Sequence, residues 1–257
     1  MVTFAILGLG EAGSLYARDL AAAGRPVTGF DPAGVPTPPG ILRCATIKET
    51  VAGADVVISL TGPDGAAQAA ADAADALRPG AVYADLNTAA PQAKRAIEAS
   101  LAPAGALVAD VAVLAPVPRA GLRTPVLASG PGAGAFAAAV GQLAVPVEVL
   151  DEETGAAAGR KLLRSVFMKG LAAVALEAMT AGEAARCGDW IRKQMADELS
   201  AAGPILLDRL VTGSRLHASR RAHEMAAARG YLSELGVPTA VTDASLWWLH
   251  ELAGPDR

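Results

Sequence analysis

Through its first 150 residues the chain alternates short continuous apolar runs with longer segments whose apolar residues recur at helical spacing; beyond that point the short runs cease. The runs Val2–Leu7, Val27–Phe30, Val56–Leu60, Val82–Leu86, Leu107–Val113, Val126–Ser129 and Val147–Leu150 predict strands. Their apolar character is continuous rather than alternating, which predicts strands covered on both faces, as in a largely parallel sheet. Helices are predicted between them at Ser14–Ala23, Ile47–Ala52, Ala66–Leu77, Gln92–Leu101 (with Pro91 at the start) and Ala133–Leu143, and a proline-rich loop at Asp31–Gly40. Past Asp151 only helical patterns remain, over Gly155–Ala181, Asp189–Ala201, Pro204–Val211, Ser214–Leu235 and Asp243–Leu252. The pattern predicts an α/β chain: an N-terminal doubly wound, mostly parallel sheet of the Rossmann type in residues 1–152, then an all-helical domain in residues 153–257. Thin helices of this number enclose little core alone, so a homodimer packed through the second domain is expected.

The first strand runs into Gly8-Leu9-Gly10-Glu11-Ala12-Gly13 and then into a helix, the context a G-x-G-x-x-G turn needs to hold a dinucleotide. Gly8 permits the tight turn, Gly10 lets a pyrophosphate approach the backbone, and Gly13 lets helix and strand pack closely. The first N–H groups of the helix, at Glu11 and Ala12, face the anion. Asp31 ends the second strand, eighteen residues after Gly13. A carboxylate there accepts from the adenosine ribose hydroxyls and repels a 2′-phosphate, favouring NAD, while Arg25 or Arg43 within reach would admit NADP. Ligands in such sheets lie beyond the C-terminal strand ends, where the loops Gly8–Gly13, Asp31, Leu60–Gly65 and Asn87–Pro91 converge. Leu60 and Thr61 are expected along the cofactor, and Asn87 and Thr88 beside its reactive end and a small-molecule substrate.

Composition narrows the picture further. Hydrophobic residues make up 52% of the chain but aromatics only 4%, so the core must be closely packed Ala, Val and Leu. A net charge of −4 gives no reason to expect a nucleic acid or an anionic membrane surface as partner. Two distant cysteines, Cys44 and Cys187, suit reduced thiols in the cytoplasm, and with three scattered histidines no metal site is expected. No basic leader precedes the first strand, and no apolar stretch reaches membrane-spanning length.

The long helical segment carries Lys161, Ser165 and Lys169 at i, i+4 and i+8, along one face. A lysine at the mouth of the crevice can give or take a proton at an oxygen while hydride is transferred. Three segments carry a family resemblance. Asp85-Leu86-Asn87-Thr88-Ala89-Ala90-Pro91 is similar to a D-x-S-[ST]-x-x-P substrate segment. Asp110-Val111-Ala112-Val113-Leu114-Ala115-Pro116 occupies the place of D-A-P-V-S-G-G. Gly155-Ala156-Ala157-Ala158-Gly159-Arg160-Lys161, followed by Ser165, resembles G-x-x-G-x-x-x-K-x-x-x-N. With the glycine turn, these segments resemble the β-hydroxyacid dehydrogenase family, related to 3-hydroxyisobutyrate dehydrogenase and 6-phosphogluconate dehydrogenase. The resemblance implies an NAD(P)-dependent oxidoreductase interconverting a small hydroxy acid or polar alcohol with its carbonyl form. It makes Lys161 the catalytic general acid or base and gives Asn87, Thr88 and Ser165 to the substrate, with Lys169, on the same helix face, a further candidate to orient the substrate oxygen.

The departures are specific. Ser165 stands for Asn, Asn87 for Ser, and Leu114-Ala115-Pro116 for the Ser-Gly-Gly turn that binds a substrate carboxylate; Pro116 has no N–H to donate. With Pro116–Gly121, Lys169-Gly170 and Arg220-Arg221-Ala222-His223-Glu224-Met225 they resemble a divergent branch with its own C-terminal helical domain, in which Arg220 and Arg221 are candidates to bind an anion. Two alternatives remain. Imine reductases share the architecture but generally have Asp or Tyr at the lysine position. A non-catalytic dinucleotide-binding sensor or scaffold would explain the lost turn but not the retained Lys161.

Overall fold

The computed structural model describes residues 1–200 and 203–254. Eight strands, β1 (Phe4–Leu7), β2 (Val27–Phe30), β3 (Leu42–Arg43), β4 (Val56–Ser59), β5 (Val82–Asp85), β6 (Leu107–Val113), β7 (Val126–Ser129) and β8 (Val147–Val149), form one sheet in the order β3-β2-β1-β4-β5-β6-β7-β8. Every neighbouring pair is parallel except β6 with β7. The expected doubly wound sheet is therefore present, with one reversal. Between β6 and β7 the chain makes only two 3-10 turns, Val117–Arg119 and Gly121–Arg123. Without a crossover helix the returning strand runs antiparallel.

The helices α1 (Glu11–Ala22), α2 (Ile47–Val51), α3 (Pro63–Ala74), α4 (Pro91–Leu101) and α5 (Ala133–Gly141) cover the two faces. Alternate strand residues feed alternate cores. Phe4, Ile6, Ile58 and Val111 pack with Tyr16 and Leu20 of α1 and with Phe136 and Val140 of α5. Ala5, Leu7, Val57 and Tyr83 pack on the other face with α3 and α4. The buried side of α3 is Ala66, Ala69, Ala70 and Ala73, so the helix lies close against the sheet and the core needs few aromatics.

Several boundaries differ from the pattern, each for a local reason. α1 starts at Glu11 because Gly10 itself is the N-cap, and α3 starts at Pro63 because proline is accepted at a first helical position. The edge strand β3 has two residues, too few to show a period.

The chain divides into two compact units, residues 1–164 and 165–257. The division falls inside α6 (Ala156–Ala184), so Lys161 belongs with the sheet and Ser165 and Lys169 with the second unit. The second unit continues through α7 (Gly188–Leu199), α8 (Gly203–Leu216), α9 (Ala218–Glu234) and α10 (Ala240–Ala253). The predicted end of the α7 segment, Ala201, lies outside the described residues. The break expected at Gly213 falls at His217, and Gly213 stays helical with its missing side chain leaving room for the Arg221 guanidinium. Glu177 of α6 caps α10, accepting from the N–H groups of Val241 and Thr242, each at 2.7 Å. Burial opposes its ionisation, yet the hydrogen bonds from Thr242 and Val241 outweigh it and hold this carboxyl below its ordinary range.

The glycine turn yields a paired test. A side chain on Gly13 would overlap the carbonyl of Gly8, whereas one on Gly10 would meet no atom within 4 Å. Gly13→Ala is expected to lower unfolding free energy by about 2 kcal/mol or more and Gly10→Ala by less than ~0.5 kcal/mol, read by urea denaturation. Equal losses would contradict this packing.

Candidate functional site

The turn between β1 and α1 is shaped by backbone contact. Gly8 has φ +91°, and a side chain there would strike the carbonyl of Leu60 at the end of β4. Gly10 faces open space, and α1 begins with no side-chain cap, so its first N–H groups have no intrahelical or side-chain acceptor. The turn forms one wall of a cleft of about 780 Å³ bordered by Gly8, Gly10, Asp31, Leu60 and Thr61. Leu9 enters differently: its side chain is buried, and its N–H donates to Asp31 Oδ2 at 2.7 Å.

Asp31 therefore has two tasks. Its Oδ1 accepts from the Ala33 N–H at 2.8 Å, so the carboxylate ties its own loop to the glycine turn. Each oxygen keeps a further acceptor site for a hydroxyl. Arg43 clamps the same loop from outside, donating to the carbonyls of Asp31 (2.9 Å), Ala33 (2.8 Å) and Val35 (2.6 Å). Arg25 precedes β2, at the strand end opposite Asp31, and donates to Gln142 at 3.1 Å. It does not border the cleft.

Beyond β5 and β6 lies a second, more polar constellation. Asn87 is buried, and its amide is committed to structure. Its Nδ2 donates to Ser59 Oγ at 3.0 Å and to Asp85 Oδ1 at 2.5 Å, and its Oδ1 accepts from the Gly62 N–H at 2.8 Å. Asp85 in turn meets Lys94, whose Nζ donates to Asp85 Oδ2 at 2.8 Å and to its carbonyl at 2.9 Å. The same Nζ lies 3.4 Å from Asp110 Oδ1, an ion contact rather than a well-aligned hydrogen bond. All three charged side chains are at most 1% exposed. Asp110 Oδ2 accepts from the N–H groups of Gly155 (3.1 Å) and Ala158 (2.9 Å), and Ser129 Oγ takes that of Ala157 at 3.0 Å. The start of α6 is thus capped from β6 and β7 rather than by its own preceding residue.

One turn after Ala158, half-buried Lys161 borders a narrow recess with Asn87, Thr88, Asp110 and Ala112. The structure brings Lys161, Asn87 and Thr88 together. Ser165 and Lys169 lie one and two turns further along α6, in the second unit, half-buried and exposed respectively. Arg220 pairs with Glu224, and Arg221 donates to Ser214 Oγ at 2.7 Å. Sequence reasoning passed over Lys94. Its one signal was a lysine falling on the apolar stripe with Ile97 and Leu101, the two other buried positions of α4.

Asn87 supports a direct test. Asn87→Ala leaves the Gly62 N–H and Ser59 Oγ without their partner, which should cost about 1–3 kcal/mol in chemical denaturation. A neutral result would mean that water replaces these bonds without loss.

The open cradle at Gly10, the uncapped N-terminus of α1, and a carboxylate at the end of β2 together fit a dinucleotide: anion at the helix start, ribose at Asp31. Comparison with known proteins agrees. Residues 3–139 match the family described as the NAD binding domain of 6-phosphogluconate dehydrogenase, and residues 183–252 match a domain of unknown function (DUF1932). A conserved hypothetical protein from Sinorhizobium meliloti 1021 is 26% identical, with 97% of this chain and 87% of that one covered and a TM-score of 0.65. A conserved protein whose structure is described as similar to 3-hydroxyacid dehydrogenases is 24% identical over 98% of both chains, with a TM-score of 0.65. An imine reductase from Myxococcus stipitatus, solved with NADP+, is 17% identical over 98% of this chain and 94% of that one, with a TM-score of 0.82. No functionally curated protein matches the chain in sequence.

Proposed function

The chain belongs to the family of the NAD binding domain of 6-phosphogluconate dehydrogenase, and from that premise we propose that it is an NAD(P)-dependent oxidoreductase that interconverts a small hydroxy acid or polar alcohol with its carbonyl form, with Lys161 as general acid and base. The carrying observation is that Lys161 shares a recess with Asn87 and Thr88, beyond the ends of β5 and β6 in the same sheet whose β1, β2 and β4 ends border the cleft. The nicotinamide, when bound, supplies or accepts the hydride. The backbone N–H groups of Glu11 and Ala12 hold the pyrophosphate, and Asp31 accepts from the adenosine ribose, which favours NAD. Leu60 and Thr61 flank the cofactor. Lys161 gives its proton to the substrate oxygen in reduction and takes it back in oxidation. Thr88, Ser165 and Lys169 orient the substrate, while Asn87 acts mainly by holding the loop.

An imine substrate is the second reading, supported by the fold likeness to the imine reductase. Retention of lysine at position 161 favours the oxygen chemistry. The chain is proposed to act as a homodimer through its helical domain. Residues of that domain support this: Val174, Leu176, Ile205, Leu207, Trp247 and Trp248 are all substantially exposed, and few side chains there are buried. Cytoplasmic residence completes the reading, supported by free Cys44 and Cys187. Among the described residues no helix is long and apolar enough to cross a membrane.

A panel of hydroxy acids, alcohols, ketones and cyclic imines, followed by nicotinamide absorbance, tests the proposal. Lys161→Ala should lower kcat for the substrate found by about 100-fold or more while leaving cofactor affinity unchanged. Full turnover by that variant, or turnover of imines alone, would overturn the assignment. Asp31→Ala should weaken NADH more than NADPH; NADPH binding the unmodified protein more tightly than NADH would contradict the role of Asp31. Light scattering should give twice the chain mass of 25.8 kDa.

A further inference from the structure

Lys94 is the one fully buried lysine among the described residues, and the mechanism above makes no use of it. It lies on α4, its Nζ between two buried carboxylates that belong to neighbouring strands. Each carboxylate has a second hold. Asp85 Oδ1 fixes Asn87, and through Asn87 the Gly62 N–H after β4. Asp110 Oδ2 fixes the N–H groups of Gly155 and Ala158. A single ammonium thus joins the loop that carries Asn87 and Thr88 to the helix that carries Lys161.

We propose that Lys94 is the positioning residue that sets where Lys161 stands, because it locks Asp85 and Asp110 together and Asp110 holds the first turn of α6. The inference rests on the reading of Lys161 given above. The route is short and stiff: Lys161 is three residues past Ala158, one helical turn, so a shift at the cap passes undiminished to the lysine. Without the ammonium, two buried carboxylates face each other with no counter-charge. One must take up a proton or swing toward water, and either change weakens Asp110 as acceptor for the α6 amides. Gly8, Gly10, Asp31, Leu60 and Thr61, which border the cofactor cleft, share no hydrogen bond or ion pair with Lys94, so the larger loss should fall on turnover rather than on cofactor binding.

The test is hydrogen exchange by mass spectrometry on the full chain, comparing the unmodified protein with Lys94→Met, alongside kcat on its substrate and cofactor titration. Exchange over residues 153–163 should rise about tenfold while β1 and β4 keep their protection. In parallel kcat should fall about tenfold or more, with the cofactor Kd within about twofold. A second variant guards against misfolding: Lys94→Met with Asp110→Asn removes one charge of each sign and keeps an acceptor for α6. It should fold, yet keep the loosened helix start and the low kcat. Unchanged exchange at 153–163 overturns the proposal, as does a rise spread evenly over the sheet, recovery in the double variant, or a loosened segment with full turnover. If Lys161→Ala is inactive in the first of these cases, the failure is confined to Lys94; if Lys161→Ala is active, the reading of Lys161 fails instead.

Discussion

Three charges buried in contact, one ammonium and two carboxylates, tie together the ends of β5 and β6 and the start of α6. Taking an ion out of water costs several kcal/mol, and the mutual attraction recovers it only where geometry and extra hydrogen bonds are good. Here the surroundings supply them: the Asn87 amide on Asp85, and the first N–H groups of α6 on Asp110. The cluster carries one net negative charge, and the positive end of the longest helix points at it, which is the favourable sense of the helix dipole. Losing any one partner strands the others, so the ends of β5 and β6, the Asn87 loop and the start of α6 hold their places together.

In the proposed function one sheet serves two kinds of chemistry. On the side of β1 and β2 the proposed recognition falls to the backbone, through glycines that leave the path of an anion open and a carboxylate that ties the turn and keeps acceptor sites. On the side of β5 and β6 side chains dominate, and the proposed proton transfer needs them held to fractions of an ångström. The proposed acid and base stands on a long helix rather than a loop, and that helix is capped by strand residues. The alanine-rich helices contribute by lying close to the sheet, which keeps the strand ends in register without bulky packing.

What could be read from the sequence was what depends on near neighbours. The strand, glycine turn and helix around Gly8–Gly13 are local, and so is Asp31 at the end of the next apolar run; both fall where the pattern puts them. The motif carrying Lys161 is likewise contiguous. What escaped depends on distant partners. Lys94 reads as an ordinary helix lysine until Asp85 and Asp110 close on it from two strands. Arg43 reads as an anion ligand, yet three carbonyls of its own loop hold it. Asn87 reads as a substrate contact, yet Gly62, Ser59 and Asp85 engage its amide. Gly213 reads as a helix break, yet it stays helical with the guanidinium of Arg221 packed beside it, and the break falls at His217. In each case polar geometry across the fold sets the partners, and residue type alone does not encode them.

The account depends first on a dinucleotide seated at the Gly8–Gly13 turn, and a fluorescence titration of the purified chain with NADH and NADPH measures that directly. It predicts saturable micromolar binding of at least one of them, at one site per chain, abolished by Gly10→Val because that side chain would fill the open cradle. Absence of binding by both, or binding that the valine leaves unchanged, would contradict it.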